Sequence, residues 1–72
     1  MKTASGVVTL AQEHRFQLVD DQGSKKLFIL AHGSPVEGRD LQRLENSNRR
    51  VTVFYTDADT LNGYTAHEVH EQ

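Results

Sequence analysis

The stretch Phe16-Gln17-Leu18-Val19-Asp20-Asp21-Gln22-Gly23-Ser24-Lys25-Lys26-Leu27-Phe28-Ile29-Leu30 reads as a β-hairpin whose second strand is apolar on both faces. Side chains alternate across a strand, so Leu27 and Ile29 point one way while Phe28 and Leu30 point the other. A strand with two apolar faces has to be covered twice, which places it centrally in a closed or sandwiched sheet. Asp20 to Ser24 supply the turn, because Asp bonds its own backbone and Gly23 accepts positive φ without steric cost. The register is open at this point. A two- or four-residue loop sets Leu18 across from Leu27 and Phe16 across from Ile29, whereas a three-residue loop with a bulge at Gly23 sets Phe16 across from Phe28. In either register, two large apolar side chains of this strand face away from the core that Phe16 and Leu18 begin.

On the N-terminal side of the hairpin, Gly6-Val7-Val8-Thr9-Leu10-Ala11 and on to Gln12 reads as a first strand, with Gly6 a close-approach or bulge position near its start. The second strand runs from Arg15 to Asp20 and the third from Lys25 to about His32. His32-Gly33-Ser34-Pro35 then breaks the pattern. Ser34 as N-cap, Pro35 at the first helical position and Glu37 at capping-box spacing predict a helix start there. Gly38 weakens the first turn, so the firm helix spans Arg39 to Glu45, with Leu41 and Leu44 as its apolar edge. Asn46 or Asn48 suits a left-handed C-terminal cap. Arg49 to Thr56 forms the fourth strand, with Val51, Val53 and Tyr55 alternating with Thr52, Phe54 and Thr56. Asp57 to Gly63 is a loop in which Leu61 is placed to plug the barrel end. Tyr64 to about Val69 is the fifth strand, with Tyr64 and Ala66 on one face, and His70-Glu71-Gln72 is expected to fray.

The chain has 72 residues, which predicts one domain over 1–72, at the small end of what folds without metals or disulfides. There is no cysteine, so stability has to come from packing. The opening Met1-Lys2-Thr3-Ala4-Ser5-Gly6 lacks the apolar run of a signal peptide, and no segment reaches the roughly 18 apolar residues of a membrane-spanning helix. A soluble cytoplasmic protein, with no membrane partner, is the expectation. The formal net charge of −2 removes the whole-domain basic field of many nucleic-acid binders. Arg39, Arg43, Arg49 and Arg50 gather in and after the helix, but Glu37, Asp40 and Glu45 interleave with them, as in ordinary solubilising charge.

The resulting order, strand-strand-strand-helix-strand-strand, resembles the OB-fold. The residues that carry the likeness are Gly6 in the first strand, Phe16-x-Leu18-x-Asp20-x-x-Gly23 in the hairpin, and Leu41 with Leu44 on a helix between the third and fourth strands. The fold class expected is therefore mainly β with one short helix, a five-stranded OB-like closed barrel over about residues 5–69.

Catalytic chemistry finds no constellation. His67-Glu68-Val69-His70 invites a metal, but residues three apart on a strand project to opposite faces, and the zinc-protease motif needs H-E-x-x-H on a helix. His14 and His32 flank the far end of the hairpin without a third ligand. Asp20-Asp21 and Asp57-x-Asp59 read as turn caps. No cofactor, metal or catalytic residue is predicted, and the chain is expected not to be an enzyme. Binding remains. The OB resemblance implies a ligand face on the second and third strands with the adjoining loops. Its candidate residues here are His14, Arg15, Gln17 and Val19, with Lys25, Leu27, Ile29 and Tyr64. If the register brings Phe28 and Leu30 outward, they replace Leu27 and Ile29, and Phe54 or Tyr64 would stack on bases if exposed. Arg15 and Lys25 suit a single-stranded nucleic acid, whereas the aliphatic face suits a protein partner or a homodimer. The oligomeric state and the ligand are left open.

Overall fold

The computed structural model describes residues 1–36, 38–57 and 63–72. The expectations for Glu37 in a capping box and for Leu61 at the barrel end lie outside the described residues. The chain forms β1 (Lys2–Gln12), β2 (Arg15–Asp20), β3 (Lys25–Leu30), α1 (Gly38–Ser47), β4 (Arg50–Asp57) and β5 (Tyr64–Glu71). The strands close into a barrel in the order β1-β2-β3-β5-β4, with β3 and β5 parallel and the other pairs antiparallel. The expected class, mainly β with one short helix in a closed five-stranded barrel, is the observed one.

The hairpin takes the bulged register. Gly23, at φ +83°, donates its N–H to the Asp20 carbonyl (3.0 Å), and the Asp20 N–H reaches the Ser24 carbonyl (3.0 Å). Asp20 Oδ1 accepts from the N–H groups of Gln22 and Ser24 at 3.0 and 2.9 Å, the local capping that favours Asp at this place. Phe16 is thereby set opposite Phe28, Gln17 opposite Leu27 and Arg15 opposite Ile29. Phe28 and Leu30 enter the core with Phe16 and Leu18, and Leu27 and Ile29 remain exposed. The Phe16 and Phe28 rings stack at 5.2 Å, and Tyr55 meets Phe28 edge-on at 5.2 Å.

β1 starts at Lys2, earlier than the sequence pattern suggested, because one strand serves two partners. Lys2 to Val7 pair with β4, and Gly6 to Gln12 pair with β2. Gly6 lies at the overlap, and a Cβ there would meet the Val19 carbonyl oxygen at 2.2 Å. It is thus a close-approach position in mid-strand, while the irregularity in the ladder falls later, between Val8 and Leu10. β3 ends at Leu30 instead of His32, as Gly33, at φ +85°, turns the chain away and Ser34 N–H closes on the Ala31 carbonyl at 3.0 Å.

The helix starts at Gly38, not at Ser34. Ser34 Oγ instead accepts from the Val36 N–H (3.3 Å) and donates to the His67 carbonyl (3.0 Å), latching the linker to β5. Gly38 is required by proximity, since a Cβ would stand 2.6 Å from the Glu13 carbonyl oxygen. Leu41 and Leu44 are buried in the core, and Asn48, at φ +56°, ends the helix in the left-handed conformation. The Glu45 carboxylate accepts from the Ala11 N–H at 2.6 Å, so the helix satisfies a donor on β1. The C-terminus does not fray: β5 runs to Glu71 and the Gln72 N–H reaches the Arg50 carbonyl at 3.0 Å.

Candidate binding face on β1, β2 and β3

Inward positions of the first three strands are taken by Val8, Ala11, Phe16, Leu18, Phe28 and Leu30, all buried. The intervening residues form the opposite, outer face. Its cross-strand rows are fixed by the register: Val7, Val19 and Lys25; then Leu10, Gln17 and Leu27; then Gln12, Arg15 and Ile29. Leu10 is 49% exposed, Leu27 39% and Ile29 36%, which together with Met1 are the exposed large apolar side chains among the described residues. Adjacent strands lie about 4.7–4.9 Å apart, so neighbours within a row are close enough to form one continuous surface. Gln17 is held in its row by Thr9, whose hydroxyl donates to Oε1 at 3.3 Å.

Of the eight residues expected from the sequence to meet a ligand, six share this outer face: Arg15, Gln17, Val19, Lys25, Leu27 and Ile29. His14 lies at its edge, in the tight β1–β2 turn, where its carbonyl accepts from the Leu30 N–H at 2.8 Å. Tyr64 is elsewhere. Its ring belongs to the aromatic group under the barrel wall, 5.7 Å from Phe28 and 5.0 Å from Tyr55, and it is half-buried. Phe54 is on β4 and packs edge-on against His70 at 5.2 Å. No outward position of β1, β2 or β3 carries an aromatic ring. Leu10 joins this face because the bulge after Val8 reverses which β1 residues face out; simple alternation from Val8 would turn Leu10 inward.

The charges around the barrel are largely neutralised in pairs. Arg50 donates to the two carboxylate oxygens of Asp21 through its two terminal guanidinium nitrogens and holds that carboxyl below its ordinary range. Arg43 and then Arg49 do the same to Glu71 by hydrogen bonding. Lys2 pairs with Asp57 (3.1 Å), and Lys26 approaches Asp20 at 3.7 Å. Neither Arg15 nor Lys25 has an ion-pair partner among the described residues, and no outward position of β1, β2 or β3 is acidic.

An open cleft of about 500 Å³ adjoins the Ile29 end of this face, lined by His14, Ile29, Leu30, His32 and Val36 among others. The two histidines thus share one cleft between the β1–β2 turn and the β3–α1 linker. His67 and His70 do not fall on opposite sides as a regular strand would place them. The β4–β5 ladder shifts between Phe54 and Tyr55, and His67 Nε2 comes 2.8 Å from the hydroxyl of exposed Thr56. His70 turns instead to the Phe54 ring. Among the described residues, no three His, Cys, Asp or Glu side chains gather as a metal site would require. No described helix is long and apolar enough to cross a membrane. Comparison with protein-family models, with curated proteins and with solved structures finds no match to this chain.

Proposed function

We infer that the chain is an OB-type barrel acting as a non-catalytic binding module, with the outer face of β1, β2 and β3 as its binding surface and polypeptide as its ligand. The observation that carries this reading is the exposed aliphatic group formed by Leu10, Leu27 and Ile29, from two adjacent cross-strand rows, on one side of a closed barrel. A folded chain of this size gains by burying such side chains, and a contiguous exposed group of them marks a contact surface. The strand order and the position of α1 between β3 and β4 support the OB-type assignment. Two of the acids support a non-catalytic reading: Asp20 caps the hairpin, and Asp57, at the end of β4, pairs with Lys2.

Single-stranded nucleic acid is the less favoured ligand. Its sequence-tolerant binding draws on base stacking with aromatic side chains, each stack contributing about 1–3 kcal/mol. The rings of this protein are packed under the wall or against His70, so the outer face of β1, β2 and β3 offers a nucleic acid Arg15 and Lys25 without a stacking partner.

The test is amide chemical-shift mapping of labelled protein against peptides selected from a random display library and, separately, against a short mixed single-stranded DNA at low and moderate salt. The reading expects peptide-induced shifts at Leu10, Gln17, Leu27 and Ile29, and loss of binding in the Leu27→Ser/Ile29→Ser double variant. Selected peptides that map elsewhere, or DNA shifts at Arg15 and Lys25 in the absence of any peptide binding, would contradict it.

A further inference from the structure

We propose that the segment received by this face is acidic as well as aliphatic: an extended polypeptide whose carboxylates meet Arg15 and Lys25 while its apolar side chains cover Leu10, Leu27 and Ile29. This rests on the reading above and adds the partner's charge. Charge is unevenly distributed over the barrel. The chain holds ten acidic and eight basic residues, net −2, yet the outward positions of β1, β2 and β3 carry Arg15 and Lys25 and no acid at all. Elsewhere the cations are drawn into pairs: Lys2 with Asp57, Arg43 and Arg49 with Glu71, Arg50 with Asp21. The local field on the face is therefore opposite in sign to that of the whole protein, and it favours an anionic partner.

The positions of the two cations set a direction. Lys25 stands in the Val7–Val19 row and Arg15 in the Gln12–Ile29 row, with Leu27 and Gln17 in the row between them. A segment lying along the strands meets a cation, an aliphatic row and a second cation in turn. Beyond Ile29 it reaches the cleft lined by His14, Leu30, His32 and Val36, whose volume of about 500 Å³ admits a large apolar side chain. Glu13, in the β1–β2 turn, is the acid nearest in sequence to Arg15 and bounds the charged surface at that end.

A second copy of the chain is a poorer occupant. A two-fold contact through this face would oppose the same residues of both copies, bringing Arg15 and Lys25 of each into a contact that holds no carboxylate. The three strands span only about 10 Å across and, over the six residues of β2 and β3, about 20 Å along, a footprint of about 200 Å² against the roughly 800 Å² per partner of a stable interface. A short, weakly held segment fits that area.

The test is titration of labelled protein with a decapeptide of alternating Glu and Leu, and with its Gln-Leu and Lys-Leu counterparts, at low and moderate salt. An oligothymidylate and a dilution series of the protein alone complete the set. The Glu-Leu peptide is expected to shift the amides of Arg15, Gln17, Lys25, Leu27 and Ile29, to weaken with salt, and to lose about tenfold in affinity to the Arg15→Glu/Lys25→Glu variant. Amide dispersion matching the parent protein shows that this surface variant is folded. Equal binding of the Gln-Leu peptide, at this face and without salt dependence, would overturn the acidic partner while leaving the aliphatic binding surface standing. Concentration-dependent shifts of the face in the protein alone would overturn it in favour of a second copy. Oligothymidylate shifts at the face without peptide shifts would overturn both this inference and the reading it rests on.

Discussion

Gly6→Ala isolates the feature on which the barrel closes. β1 passes from β4 to β2 at Gly6, and an added Cβ would lie 2.2 Å from the Val19 carbonyl oxygen, 2.8 Å from its carbon and 3.0 Å from Asp20 Cα. All three are backbone atoms of the neighbouring strand, so no rotamer change relieves the overlap. Restoring ordinary contact means parting β1 from β2 by about 1 Å, which weakens the ladder on either side of the Gly6–Asp20 pair. Overpacking of a well-packed site costs about 1–3 kcal/mol, and each ladder hydrogen bond lost adds about 0.5–1.5 kcal/mol. With one ladder bond weakened on each side, the expected loss is about 2–6 kcal/mol. A chain of this length has a total stability of roughly 4–11 kcal/mol, so the variant loses a large share of it. Gly23→Ala is the control: nothing stands within 4 Å of its Cβ, and only the positive φ opposes it, at about 1–2 kcal/mol. Urea denaturation followed by far-UV circular dichroism measures both. A Gly6→Ala midpoint within error of the parent, or a Gly23→Ala loss equal to or larger than that of Gly6→Ala, would refute the close-approach argument.

Leu44→Ala removes a side chain only 3% exposed in the core beneath α1 and is expected to cost about 2–5 kcal/mol; an unchanged melting temperature would contradict the helix placement. Glu45→Ala leaves the Ala11 N–H without its 2.6 Å acceptor and is expected to cost about 1–3 kcal/mol, while Glu45→Gln, which keeps an acceptor oxygen, costs less; denaturation midpoints rank the two. Acid is expected to weaken the fold through Asp21 and Glu71, whose carboxyls are held below their ordinary values of 3.8 and 4.5 by hydrogen bonds from Arg50 and from Arg43 and Arg49. Because the folded values are depressed, this contribution is present above the ordinary values and is lost as pH falls through the lowered ones. Both pairs are solvent-exposed, so the effect shrinks in high salt, and urea midpoints across that range for the parent and for Asp21→Asn/Glu71→Gln check it.

The parts of this fold that were legible in the sequence are those governed by local pattern. Alternation in Val51, Val53 and Tyr55 and the doubly apolar run Leu27 to Leu30 are consequences of strand geometry, and each returned as a strand of the barrel. The spacing of Leu41 and Leu44 likewise marked the buried edge of α1. What the pattern could not supply were features set by contact with distant segments. The Gly23 bulge depends on which of several turns the hairpin adopts, and it decided that Leu27 and Ile29 face out. The β1 bulge brought Leu10 onto the face against simple alternation. Ser34 has every local mark of a helix cap, yet its hydroxyl is engaged by the His67 carbonyl of β5, a partner with no signature near Ser34. Tyr64 was drawn into the aromatic group around Phe28 and Tyr55, a tertiary preference that outweighed its reading as a surface ring.

The binding face exists only if the Leu27 and Ile29 side of β3 meets solvent. Methyl-labelled protein exposed to a soluble paramagnetic gadolinium chelate reads this directly. The methyl signals of Leu10, Leu27 and Ile29 are predicted to broaden strongly while those of Leu18, Leu30, Leu41 and Leu44 stay sharp. Sharp Leu27 and Ile29 signals beside a broadened Leu30 would place the hairpin in the other register and remove the face described above.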